Sequence, residues 1–153
     1  MESLPYDTLY QIMLLLGVDE LRSLCSTKFF YKVCNDDFWK NKFKQDGLVM
    51  LHIPNSNRLR LYEASYKATN VINLIINKKV KDIEFIIDTD EFIKIIGDLN
   101  IDVPYQELHV RITNINKIIL STVIKNNFVN QDIVVELDKN QLYHILVRLY
   151  YYI

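Results

Sequence analysis

Hydrophobic residues recur along this chain at two different periods, and the change near Val80 constrains the fold more than any other feature. Upstream, Leu9, Ile12, Met13 and Leu16 stand at i, i+3, i+4 and i+7, the stripe of an amphipathic helix. Downstream, Leu108-His109-Val110-Arg111-Ile112 alternates apolar and polar, the pattern of a half-buried strand. A helical beginning and a mixed strand–helix end predict an α+β chain rather than a bundle or a sandwich.

Residues 1–47 read as three short helices. Pro5 suits a first helical turn, where its missing N–H costs nothing, and Gly17 is expected to end the first helix as a C-terminal glycine. Asp19 and Glu20 favour the start of a second helix carrying Leu21, Leu24 and Cys25. Ser26 or Thr27 is expected to cap a third, with Phe29, Phe30, Val33 and Cys34. Asp36 and Asp37 then precede Phe38 and Trp39, and Gly47 closes the segment. Below roughly 60 residues a chain buries too little surface for secure folding, so this segment needs a partner or the rest of the chain.

Residues 48–79 read as a connector: the loop His52-Ile53-Pro54-Asn55-Ser56-Asn57, then a helix over 58–77 with Leu59, Tyr62, Tyr66, Ile72 and Ile76 near one face. Residues 80–153 read as a small α/β domain. Strands are expected over 82–87, 108–112, 118–124 and 132–137, with helices over 90–99, capped by Thr89 or Asp90, and over 140–152. A repeat underlies this part. Residues 82–88 followed by Phe92, Ile95, Ile96 and Leu99 match residues 132–138 followed by Leu142, Ile145, Leu146 and Leu149 without a gap. One strand–turn–helix unit is used twice; two copies cannot build a solenoid.

Chemistry finds little footing. The net charge is −1 and the basic residues are scattered, so neither nucleic acid nor an anionic membrane is an expected partner. Cys25 and Cys34 are the only cysteines; in an apolar stretch they are expected to be buried, reduced thiols of a cytosolic protein. His52, His109 and His144 lack the short spacings of a zinc site. Asp88, Asp90 and Glu91 could suggest metal or acid–base work, but the second copy has Asp138-Lys139-Asn140-Gln141 there, as caps tolerate and ligands do not. Only 3 glycines are present, with no phosphate-binding loop. The start lacks the basic region of a signal peptide, and no apolar run approaches a membrane span. Neither cofactor, metal nor catalytic residue is expected. Of Tyr150, Tyr151 and Tyr152, at least one should be exposed on a helix, the others packed.

The ordered series Leu4-Pro5, Asp7, Leu9, Ile12, Leu16, Leu21, Leu24, Phe29-Phe30, Val33 and Asp37-Phe38-Trp39 resembles the F-box family. The resemblance covers the first third of the chain and runs without a gap through Leu24. Beyond it the chain is about two residues shorter than the commonest form, and Phe30 stands where tryptophan is frequent. The abundance of Ile, Asn and Lys also resembles proteins of AT-rich genomes, including large DNA viruses of protists.

The resemblance implies an N-terminal three-helix F-box that docks on a Skp-type adaptor, and through it on a cullin scaffold and a RING subunit. An F-box protein of this kind does no chemistry and presents a protein substrate, in cytoplasm or nucleus, or in a host cell if viral. Carried over, the adaptor-binding positions are Leu4, Pro5, Leu9, Ile12, Leu16, Leu21, Leu24, Phe30, Val33 and Trp39, some as anchors in a hydrophobic groove and some as bundle core; Trp39 is expected to close the bundle. The C-terminal domain would hold the substrate, through residues the sequence does not identify. The alternative is a non-catalytic protein that sequesters the adaptor without delivering a substrate.

Overall fold

The computed structural model describes residues 6–27, 32–79, 83–96, 107–124 and 127–153. Six helices and one four-stranded antiparallel sheet appear among the described residues, an α+β architecture. The chain divides into two compact units, one ending at Tyr66 and the other beginning at Lys67. That division falls inside a helix, whereas the sequence placed a separate connector over 48–79.

In the N-terminal unit, α1 (Tyr6–Leu14) and α2 (Val18–Cys25) precede α3 (Asp36–Gln45). Helix α1 ends before Leu16, and Gly17 is not its C-cap. It is the extended N-cap of α2, with φ −80° and ψ 178°, a conformation open to any residue. Asp19 and Glu20 lie in the first turn of α2 as expected. Ser26 and Thr27 bond back into that helix, their hydroxyls donating to the carbonyls of Arg22 and Leu24 at 2.7 and 2.8 Å, while the residues they were expected to cap lie outside the described ones. Of the expected third helix, Phe29 and Phe30 lie outside the described residues, and Val33 and Cys34 occupy turn and bend. The next cap is Asn35, whose side chain accepts the Phe38 N–H at 3.0 Å. Gly47, at φ 69°, closes α3 in the left-handed region, with Leu48 N–H donating to the Phe43 carbonyl and Gly47 N–H to that of Lys44.

Helix α4 (Arg58–Ile76) follows the loop. Its buried stripe runs through Leu61, Tyr62, Ser65, Ala68, Ile72 and Ile75. The sequence had placed Tyr66 and Ile76 on that face; both are exposed. Ala64, Ser65 and Ala68 carry no strong apolar signal yet are buried, so the true face lies to the side of the one the larger residues suggest.

In the C-terminal unit, β1 (Ile83–Asp88), α5 (Thr89–Ile96), β2 (Glu107–Asn114), β3 (Lys117–Ile124), β4 (Asn127–Glu136) and α6 (Lys139–Tyr152) follow in order. The strand order is β1-β2-β3-β4, so the two copies of the repeat supply the two edges. Register aligns Phe85 with Val110 and Val110 with Leu120, and likewise Ile83, Ile112 and Ile118. These rows form the apolar face, on which the Phe85 ring meets Tyr150 of α6 edge-on at 5.6 Å. Helix α5 turns Phe92 and Ile95 inward, and Arg148 of α6 reaches the Ile95 carbonyl at 3.3 Å. The cap of α5 is Asp88, not Thr89 or Asp90; its carboxylate accepts the N–H groups of Asp90 and Glu91. Asp138 repeats this on α6, where Asp138 and Gln141 exchange bonds in a capping box. The equivalent aspartates of the two copies thus do the same work.

Candidate docking surface on the helical unit

The adaptor-docking positions read from the sequence divide into three groups. Leu4, Pro5 and Phe30 lie outside the described residues. Leu9, Leu21, Val33 and Trp39 are inside the unit: Leu21 is fully buried, and the other three are 4% exposed or less. Trp39 packs on Phe38 and Tyr62, with ring centroids at 5.0 and 5.7 Å, and so closes the bundle. These four can shape a docking surface from behind, but they do not form it. Ile12, Leu16 and Leu24 are half-exposed.

Leu15 joins them and was missed by the helical stripe. It falls at i+6 from Leu9, off the 3.6-residue rows, but α1 ends at Leu14 and the turn delivers its side chain outward, 77% exposed. The signal that could have found it is the run Ile12-Met13-Leu14-Leu15-Leu16: five successive apolar residues cannot all face one core. Tyr6 adds an exposed aromatic at the start of α1.

A polar network behind this edge fixes the end of α1. Lys42 of α3 is 2% exposed, and its ammonium donates to the Leu14 carbonyl at 2.7 Å and meets the Asp46 carboxylate at 3.0 Å. Tyr62 also donates to Asp46. Burial first, and then that hydrogen bond, pushes the Tyr62 phenol well above its ordinary value. Gln45 donates a second bond to the Leu14 carbonyl at 3.1 Å. The last turn of α1, orphaned of helical partners, is therefore anchored to α3, and Leu15 and Leu16 emerge from a fixed point. On the other side, Arg22 of α2 pairs with Glu63 of α4 at 2.7 Å.

The cysteines depart from expectation. Cys25, the last residue of α2, and Cys34, just before α3, are joined in a disulfide with their Cα atoms 5.9 Å apart, and both are half-buried rather than buried. They are neither reduced nor core residues. Nine residues of separation hid this in the sequence, because the bridge depends on how the chain turns between two helices.

In the C-terminal unit, Asp88, Asp90 and Glu91 line an open cleft of about 490 Å³ with Lys94, Ile95 and Tyr152. Asp88 is committed to capping. Among the described residues, no group of three His, Cys, Asp or Glu side chains is placed to hold a metal ion. His109 lies 3.5 Å from Glu84 on the outer face of the sheet. Of the three final tyrosines, Tyr150 and Tyr151 are half-buried and Tyr152 is exposed. Among the described residues, no helix is long and apolar enough to cross a membrane.

Comparison with protein-family models, with curated proteins and with solved structures found no match for this chain.

Proposed function

We propose that this chain is an F-box substrate receptor of an SCF-type cullin–RING ubiquitin ligase, a non-catalytic subunit that docks on a Skp-type adaptor. The observation that carries the reading is the spaced apolar series of the first forty residues. It is supported by the way α1 and α2 use that series: Leu9, Met13 and Leu21 go inward while Ile12, Leu15, Leu16 and Leu24 remain wholly or partly at the surface. Apolar residues left at the surface beside an anchored helix end suit insertion into a partner's hydrophobic groove. The unit from Lys67 onward would then hold the protein substrate.

The experiment is co-expression with a Skp adaptor, comparing the unaltered chain with Leu15→Asp/Leu16→Asp. These positions test docking more cleanly than Leu9 or Leu21, whose replacement by a carboxylate would unfold the unit. The unaltered chain is expected to co-purify with adaptor and cullin, and the variant to stay folded but lose both. Absence of a complex with the unaltered chain would refute the reading. Adaptor bound without cullin would favour sequestration over substrate delivery.

A further inference from the structure

We propose that Cys25 and Cys34 form a reversible dithiol–disulfide switch that sets how firmly the end of α2 is tied to the start of α3. The bridge sits at a junction. Cys25 ends α2, and Cys34 is next to Asn35, whose side chain caps α3 by accepting the Phe38 N–H. Beside it, Ser26 and Thr27 bond back into α2, to the carbonyls of Arg22 and Leu24. The covalent link thus joins the last residue of α2 to the residue just before the α3 cap.

Two further observations make it a switch and not a staple. Both cysteines are half-buried and so lie outside the sealed core. The unit also has an apolar core of its own, with Leu21, Val33, Phe38 and Trp39 all 3% exposed or less. A lone bridge over such a core can open without unfolding the unit, unlike the dense frameworks that replace a core in small secreted domains. Where cellular reductants keep thiols reduced, disulfides that do form are usually transient and redox-sensing.

The step balances as thiol–disulfide exchange. A thiolate of a dithiol reductant attacks one sulfur, the Cys25–Cys34 bond breaks, and a mixed disulfide forms. The second thiol of the reductant displaces it. Two electrons and two protons pass to Cys25 and Cys34, and the reductant leaves as a disulfide. Oxidised glutathione runs the reverse reaction through the same intermediate type.

The test uses the full chain in a series of reduced-to-oxidised glutathione ratios without denaturant, quenched with a maleimide and read by intact mass. Hydrogen exchange is followed in parallel on peptides covering residues 18–27 and 32–45. The pair is expected to interconvert within the series. Reduction is expected to speed exchange by about tenfold or more at the end of α2 and the first turn of α3, leaving the sheet unchanged. Cys25→Ser should match the reduced chain at every ratio; if that variant fails to fold, the two redox forms of the unaltered chain decide alone. A bridge that opens only in denaturant, thiols that no ratio oxidises, or equal exchange in both forms would overturn the proposal. None of these outcomes depends on adaptor docking.

Discussion

At the scale of single residues, Lys42 is the most exacting choice in the helical unit. A nearly buried ammonium is tolerated because one carbonyl and one carboxylate both meet it. Lys42→Met keeps the length of the side chain but leaves Asp46 with one partner fewer, and is expected to cost about 1–3 kcal/mol in a denaturant melt. Tyr62→Phe removes only the neutral donor and should cost about 1 kcal/mol. The phenol also predicts a pH dependence. Its folded pKa is raised above the ordinary 10.0, so the unfolded chain releases the proton first. The contribution is fully present below pH 10 and is lost as pH rises beyond it. The difference in Tm between the wild type and Tyr62→Phe should therefore shrink above pH 10, and a constant difference would count against the buried phenol. Two helix ends show the same backbone demand met by different residues. Gly47 adopts φ 69° and Lys78 adopts φ 54°. Gly47→Ala should destabilise by about 1 kcal/mol, through backbone strain alone because a Cβ there meets nothing within 4 Å. Lys78→Gly should stabilise by about 0.5–1 kcal/mol at the left-handed end of α4, where Lys79 N–H donates to the Leu74 carbonyl.

At the scale of elements, the duplicated strand–turn–helix unit offers a paired experiment. Asp138 both accepts from Gln141 N–H and is answered by the Gln141 side chain, whereas Asp88 accepts two N–H bonds with no reciprocal partner shown. Removing each carboxylate with alanine should cost about 1 kcal/mol, with Asp88→Ala the larger because it strands two N–H groups, whereas Asp138→Ala strands one and keeps the backbone N–H that bonds the Gln141 side chain, as Tm shifts would show. This half of the chain was the more legible in sequence. Strands alternate with period 2, and the pattern of Leu108 to Ile112 leaves little freedom about which face is buried. The helical half was legible in its anchors but not in its boundaries. Gly17 looked like a C-cap because glycine favours that site, yet the turn Leu15–Leu16 ended α1 without it. The face of α4 was misjudged because the pattern weights large side chains, while the small Ala64, Ser65 and Ala68 are buried too. The proposed docking surface was the least legible. An apolar stripe says which residues leave water, not whether they enter their own core or another protein's groove. Leu9 and Leu21 took the first course.

At the scale of the whole molecule, the smallest piece that can carry the proposed docking surface is larger than the motif. Gly47 reads as an ending, but the chain beyond it returns to the same unit: Leu48, Leu51 and Ile53 are buried although they lie in loop. Leu61 and Tyr62 follow from α4, with the Tyr62 ring against Trp39 and Phe43 at 5.7 and 5.5 Å. Each large apolar side chain so buried is worth roughly 1.5–3 kcal/mol, and these five together rival the ~5–15 kcal/mol that holds a typical domain folded. A fragment of residues 1–47 is therefore expected to show no cooperative melt by circular dichroism. A fragment of residues 1–79, which completes α4 and its left-handed cap, should melt cooperatively and retain whatever adaptor affinity the full chain has. The comparison also separates fold from partner. If 1–47 gains structure only on mixing with adaptor, the apolar positions left bare by truncation are being covered by the adaptor's groove. A cooperative melt of 1–47 alone would instead mean that Leu61 and Tyr62 contribute little to a unit that α1 to α3 complete by themselves.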